Sequence, residues 1–261
     1  MSGRGAFEHV HLALLEAAQV QARRQALAEL LVERYQVLRV LGQSVKSLVC
    51  SGRCMASGEQ VVIKRYFDEL AYRAEVSGYL LFRSGPIAGM RYQDARHQVL
   101  VLDFLQGRLP VPADLPEVIA AYAVMHATAL ANIQRAVGPR TFPAFFDPCI
   151  SSRYRFPRFD LQGVSVGDCK PEHLRLSVDG VRILDLETHS LQRSVWFDIL
   201  SLGRRLGAEP VFSSNLEQWV ARYCACREIP VHYYDLRKIR ECLKRVQALE
   251  PGREYSEEAL A

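Results

Sequence analysis

Gly163–Glu187 reads GVSVGDCKPEHLRLSVDGVRILDLE, and its two aspartates, Asp168 and Asp185, stand 17 residues apart. Between them Leu174–Ser177 and Val181–Leu184 alternate apolar with polar residues around Asp179-Gly180. That dipeptide signals a two-residue hairpin, because such turns need positive φ and glycine accepts it without steric cost. A hairpin here folds the chain back on itself and delivers Asp185 close to Asp168. Phosphoryl transfer from a nucleotide uses two such carboxylates, one to orient the attacking hydroxyl and one to hold a metal ion on the phosphates.

The flanking sequence supplies a frame for this segment. Phe7–Glu33 is a charged and apolar mixture free of Gly and Pro, and Val10, Leu14, Leu15, Leu27, Leu30 and Leu31 recur near helical spacing. One or two amphipathic helices are predicted there. Strands are predicted at Gln36–Leu41, Ser47–Met55 and Gln60–Arg65, and a helix at Glu69–Phe82. After a break at Ser84-Gly85-Pro86 comes a further strand, Gln98–Phe104. Asp114, Pro116 and Glu117 then open a helix with a cap-like Asp and a first-turn Pro. Val118, Tyr122, Met125, Ala129 and Ile133 share one face of it, and Gly138-Pro139 stops it. Gly138–Asp160 is irregular, rich in Pro and Phe, and carries Arg153, Arg155 and Arg158. Helices are predicted again at Phe197–Leu206, Leu216–Arg227 and Tyr234–Leu249.

Strands followed by helices define an α+β, two-lobed fold class. Its expected divisions are a helical extension over residues 1–34, a small antiparallel lobe with one helix over 35–106, a mainly helical lobe over 107–250, and a tail over 251–261. The hinge falls at Leu105–Arg108.

Composition sets broad bounds. The 261 residues are 49% hydrophobic and 24% charged, ordinary globular values, with room for a sizeable core. A net charge of +4 excludes an acidic surface built for polycations and is too small to argue for nucleic acid. No stretch has the apolar length that a bilayer crossing needs. Glu8, His9, His11 and Glu16 interrupt any secretory apolar region. The seven cysteines lack zinc-site spacing and read as thiols in a reducing cytoplasm, the expected location.

Two upstream segments add chemistry. Leu41-Gly42-Gln43-Ser44-Val45-Lys46-Ser47-Leu48-Val49 joins two predicted strands through small residues that could let backbone N–H groups approach phosphates, but taken alone the segment reads first as an ordinary hairpin turn. Val61-Val62-Ile63-Lys64 ends a buried-looking strand in a lysine, and Glu75 follows 11 residues later on the next helix. A lysine that bridges nucleotide phosphates is commonly held by such a glutamate.

In this order the motifs resemble the protein-kinase-like superfamily, and more closely its small-molecule branch, typified by aminoglycoside and choline phosphotransferases. The resemblance spans about Tyr35–Leu206. It runs through the Gly42 loop, Lys64, Glu75, the V-L-D-F strand, Met125-His126-Ala127, Gly167-Asp168-Cys169-Lys170-Pro171-Glu172-His173, Asp185-Leu186-Glu187 and Trp196-Phe197-Asp198. It implies ATP and Mg2+ as cofactors, with Mn2+ as an alternative. Asp168 would be the catalytic base and Lys170 a contact to the transferred phosphoryl group. Asp185 and His173 would hold metal. Gly42, Ser44, Ser47, Val49, Lys64, Glu75, Asp103 and Leu105 would bind the nucleotide, with hinge backbone groups reading the base. Asp198 would brace the catalytic loop, His126 would pack and hydrogen-bond, and Cys169 would turn into the core.

Three departures stand out. Val166 replaces a histidine, His173 replaces a metal-binding asparagine, and Ser44 and Ser47 stand where glycines are usual. The short interval between Asp185 and Asp198 leaves no room for a protein kinase's activation segment, which directs the expectation to a small-molecule or glycan acceptor. The arginines of Gly138–Asp160 suit an anionic acceptor or are simply solvated. The reading from a different class is a pseudokinase, a kinase-shaped regulator acting on a protein partner, with the N-terminal helices as its contact surface.

Overall fold

The computed structural model describes residues 3–137, 164–167, 169–191, 193–206 and 214–248. The chain divides into two compact units, Met1–Arg73 with Ala88–Phe104 and Ala74–Ile87 with Leu105–Ala261.

The first unit is an antiparallel sheet backed by a helix. Strands β1 (Tyr35–Gln43), β2 (Ser47–Cys54), β3 (Gln60–Tyr66), β4 (Met90–Asp94) and β5 (Val99–Asp103) lie in the order β1-β2-β3-β5-β4. Strand β5 is internal, which is why Val99, Leu100, Val101 and Leu102 are all buried and its sequence is a continuous apolar run. The edge strand β4 was not expected from sequence. None of its residues is fully buried, and Met-Arg-Tyr-Gln-Asp lacks the branched residues that mark a strand.

Helix α1 (Gly3–Leu31) is a single helix, where one or two were expected. Its Leu27 and Leu31 are buried in one cluster with Tyr35, Val37, Leu48, Cys50, Val61, Ile63, Val99 and Val101, and Val20, Ala28 and Leu30 pack at its margin. The period-2 alternation of strands puts Cys50, Ile63 and Val101, which are register partners, on this helix-covered face. The end of the extension is therefore part of the core of the unit, and the face that carries Lys64 is the opposite one.

Helix α2 (Glu69–Leu81) begins in the first unit and ends in the second. The Asp68 carboxylate caps it, accepting the N–H groups of Leu70 at 2.8 Å and Ala71 at 3.4 Å.

The second unit contains α3 (Leu115–Val137), the hairpin β6 (Leu174–Ser177) and β7 (Gly180–Ile183), α4 (Val195–Arg205), α5 (Leu216–Cys226) and α6 (Leu236–Ala248). Val118, Tyr122, Met125 and Ala129 form the buried face of α3 as their spacing predicts. Asp114 accepts Arg108 at 2.6 and 2.7 Å and the Val111 N–H at 2.8 Å, so its carboxylate serves the preceding turn and not the expected helix cap. The hairpin turn is Val178-Asp179, one residue earlier than the Asp-Gly signal suggested. Gly180 is the first residue of β7, paired with Ser177. Asp235 accepts the N–H of Arg237 at 3.0 Å and sets the start of α6.

The expected α+β class, a small antiparallel sheet followed by a helical region with one hairpin, is what the chain forms. No helix among the described residues is long and apolar enough to cross a membrane. The irregular Gly138–Asp160 segment, its arginines, and the 251–261 tail lie outside the described residues.

The packing of α1 on the sheet makes a direct prediction. Leu27→Ala, at a fully buried position, is expected to cost about 2–5 kcal/mol. Leu70→Ala, at an exposed one, is expected to stay within about 0.5 kcal/mol of the parent. Urea denaturation of both variants measures the difference, and equal midpoints would show that α1 contributes no core.

Candidate functional site

The second unit builds the loop that leads into Asp168 from backbone and one buried carboxylate. Asp198, on α4, is wholly buried. Its Oδ1 accepts Ser165 Oγ–H at 2.6 Å and Gly167 N–H at 3.1 Å, and its Oδ2 accepts Val166 N–H at 2.6 Å and His126 Nε2 at 3.0 Å. A buried charge costs several kcal/mol unless its lone pairs are satisfied, and here four donors do so. The same loop pairs with Ser190, Ser165 N–H to Ser190 O and the reverse, both at 2.9 Å. Gly167 has φ +103°, and a Cβ there would sit 2.2 Å from Thr188 O, so the position requires glycine. Val166 is buried by its side chain and held by its N–H. Cys169 is buried too, as expected. Asp168 itself lies outside the described residues.

Across the hairpin the chain brings further groups together. Hairpin pairing sets Leu174 against Ile183, and Leu184 N–H donates to His173 O at 2.7 Å, so His173 and Asp185 end side by side. His173 Nε2 is 3.8 Å from Asp185 Oδ2, inside ion-pair range and beyond hydrogen-bond length. Asp185 has φ +57°, left-handed backbone that few residues other than glycine adopt and that Asp tolerates better than most. One carboxylate oxygen each from Glu75, Asp185 and Glu187 lies within 4.8 Å of the others. Glu75 is buried, and the other two are half-buried. Hard oxygen donors in this number suit a divalent cation such as Mg2+, and a neighbouring imidazole widens the choice toward Mn2+. Lys170, half-buried, is fixed through its carbonyl, which accepts His173 N–H at 3.0 Å.

This loop is packed against the end of α2. A Cβ on Gly78 would fall 2.7 Å from both Cβ and O of Leu186. His189 sits beside it, its Nδ1 2.8 Å from Leu186 O and its Nε2 3.2 Å from Ser77 Oγ, with its ring edge-on to Phe82. Burial lowers its pKa below the usual histidine value, and the Leu186 carbonyl only partly offsets this.

The first unit presents the other expected residues. Gly42 on β1 pairs with Val49 on β2, Val49 with Lys64 on β3, and Lys64 with Leu100 on β5. Directly paired residues share a face, so Gly42, Val49 and Lys64 form one row on the face away from α1. Lys64 is buried, with its Nζ 5.4 Å from the centre of the Tyr66 ring. The Ser44–Ser47 turn is closed on itself. Ser44 Oγ accepts the N–H groups of Lys46 and Ser47, each at 3.1 Å, and Ser44 N–H donates to Ser47 O at 2.8 Å. The donors that would approach a phosphate are thus engaged by a side chain.

Asp103 pairs with Val61 and so lies on the α1 face, opposite Lys64. Its carboxylate accepts Arg91 Nε and the Gly89 N–H, and its own N–H donates to Gly89 O at 2.8 Å. Arg91 also donates to Glu59 at 2.6 Å and holds that carboxyl below the usual range. Leu105, half-buried, belongs to the second unit.

Sequence reasoning did not single out Glu187 as a ligand, although the Asp-x-Glu spacing was visible. It also missed Ser165 and Tyr223. Nothing in the sequence separates the latter from an ordinary core aromatic.

Comparison with models of protein families gives no match, and comparison with curated proteins gives none. Among solved structures, the chain is similar to a candidate fructosamine-3-kinase from Thermobifida fusca, at 16% identity and a TM-score of 0.47, over 84% of this chain and 96% of that one. A likeness of that degree carries nothing about activity, so the functional reading rests on the residues themselves.

Two predictions concern the stability of this region. Gly167→Ala is expected to lose about 1–3 kcal/mol to backbone strain alone, and equal stability to the parent in urea denaturation would contradict the tight approach to Thr188. For His189, the unfolded chain takes up a proton near pH 6.5 while the folded chain resists it. Its contribution is therefore constant above that pH and is lost as pH falls below it. His189→Gln should lose less stability than the parent between pH 7.5 and pH 5.5, measured by urea midpoints. A steeper loss in the variant would refute the assignment.

Proposed function

We propose that the protein is an ATP-dependent phosphotransferase that moves the γ-phosphoryl group to a hydroxyl of a small molecule or glycan. The observation that carries this reading is the convergence of Glu75, Asp185 and Glu187, with His173 beside Asp185, in the unit whose Asp198 braces the chain entering Asp168. Asp185 and its neighbours would hold Mg2+ or Mn2+, and a bound cation supplies charge neutralisation at the nucleotide phosphates.

The residues of the chain do the rest. Asp168 orients the acceptor hydroxyl and accepts its proton, and Lys170 contacts the transferred group. Lys64 contacts the nucleotide phosphates from the sheet face it shares with Gly42 and Val49. Glu75 serves the acidic cluster. The turn at Ser44 and Ser47 covers the phosphates, and the backbone of Asp103 and Leu105 lines the base. The Asp103 side chain, engaged by Arg91, takes no part in this reading.

One observation favours the second reading, a pseudokinase acting through a protein partner. The Ser44 hydroxyl already occupies the backbone donors of Lys46 and Ser47, so a phosphate must displace it.

Calorimetric titration with ATP, with and without Mg2+ or Mn2+, decides between them. The phosphotransferase reading expects metal-dependent binding that falls about tenfold or more in Asp185→Asn, the scale of one lost charged contact. Asp168→Asn is expected to abolish transfer with nucleotide affinity nearly unchanged. Ser44→Gly is expected to bind ATP more tightly than the parent. Absence of nucleotide binding with either metal, in the parent and in Ser44→Gly, would overturn the phosphotransferase reading and leave the pseudokinase.

A further inference from the structure

The carboxylate of Asp198 is one end of a longer chain of hydrogen bonds within the second unit. His126, on α3, reaches Asp198 Oδ2 through Nε2 at 3.0 Å, and its Nδ1 is 2.9 Å from the hydroxyl of Tyr223 on α5. Tyr223 in turn accepts Arg227 NH1 at 3.1 Å. His126, Asp198 and Tyr223 are all buried.

An ionised carboxylate only accepts, so the proton of His126 in this pair sits on Nε2. In a neutral imidazole Nδ1 is then an acceptor, and the Tyr223 O–H points at it. The Tyr223 oxygen is left to accept from a guanidinium, which only donates. Every link therefore has one direction: Arg227 to Tyr223, Tyr223 to His126, His126 to Asp198. At the far end Asp198 holds Ser165 Oγ and the N–H groups of Val166 and Gly167. The Tyr223 ring is itself fixed, 5.1 Å from Trp196 and 5.9 Å from Tyr234 between ring centres.

We propose that Tyr223 is a positioning residue for the proposed phosphoryl transfer, with Arg227 as its anchor. It fixes the proton order of His126 and thereby the grip of Asp198 on the loop entering Asp168. Removing the Tyr223 hydroxyl leaves Nδ1 buried without its donor, and the ring gains reason to rotate or to admit water. Either response loosens Nε2 on Asp198 and transfers the disturbance to Val166 and Gly167. The inference rests on the phosphotransferase reading only for its effect on turnover.

The experiment is 15N NMR of the full chain, parent and Tyr223→Phe, with amide hydrogen exchange on the same samples. In the parent, the His126 ring is expected to carry its proton on Nε2, with Nδ1 showing an acceptor resonance displaced by the hydroxyl. In Tyr223→Phe that resonance should relax toward the free acceptor value. The amides of Val166 and Gly167 should exchange about tenfold faster, the equivalent of one buried hydrogen bond, with the sheet of the first unit unchanged. Phosphoryl turnover should fall with the nucleotide Kd unchanged, a split that a general loss of stability would not give. If Tyr223→Phe does not fold, Arg227→Met tests the same chain, with the same two amides quickened by a smaller factor. A parent proton on Nδ1, or a variant with unchanged loop amides, overturns the positioning role. A parent that shows the relay and binds no nucleotide refutes the phosphotransferase reading and leaves the proton order standing.

Discussion

Asp198 is a wholly buried carboxyl, and desolvating the charged form of such a group costs several kcal/mol that only well-placed donors offset. Each of its four partners comes from a place fixed by something else. His126 is on α3, wholly buried, with the Tyr122 ring 5.9 Å from its own between centres. Ser165 is tied to Ser190 by a pair of backbone bonds, and Gly167 is pressed against Thr188. Charge, helix and loop therefore have to be assembled together. If one donor is missing, the carboxylate is left buried and underpaired, which is far worse than trimming an apolar side chain in the same place. Well-packed apolar residues often replace buried ion networks without weakening the fold. What this network adds is a unique backbone path immediately before Asp168.

The two sides of the hairpin divide the work. Its antiparallel register places His173 beside Asp185, and the close approach of Gly78 to Leu186 sets the depth at which α2 lies on the following loop. That approach helps explain how Glu75, three residues before Gly78 on the same helix, comes within ligand distance of Asp185 and Glu187. Three carboxylates so near one another repel, and a cation held among them would relieve that repulsion. The positive φ of Asp185 adds backbone strain at the same point, of the kind that clusters at ligand-binding positions.

Much of this could be read from sequence, for definite reasons. Long periodic helices such as α3 and α4 and the apolar run of β5 announce themselves through burial, because burial selects residue type strongly. Strand β4 does not, since an edge strand with half-exposed side chains carries no such pattern. The hairpin was legible but its turn lay one residue early, because Gly180 can be a turn residue or, as here, the strand residue that follows it. Asp198 and His126 were legible through motif order. Tyr223 was not, since its hydroxyl acts across 97 positions of sequence and its ring looks like any other core aromatic. The face of Asp103 was also hidden. A strand residue's side is decided by register, and here it is set by the pairing of Asp103 with Val61.

The contrast between the two units bears on what the chain does. In the second unit the loop entering Asp168 is held by a buried carboxyl with four donors, and the acidic cluster draws its members from α2 and from the chain after β7. In the first unit the expected phosphate turn is satisfied by its own serine, and a closed turn of this kind weakens nucleotide contact by competition without preventing it. The Ser44 hydroxyl makes two exposed hydrogen bonds to neutral N–H groups, whereas phosphate oxygens offer those N–H groups charge-assisted bonds, roughly twice as strong. A charged phosphate is thus the stronger acceptor for those two N–H groups. Under the proposed phosphotransferase reading the serine would therefore tune affinity, whereas the buried Asp198 brace of the second unit would bear on the placement of Asp168.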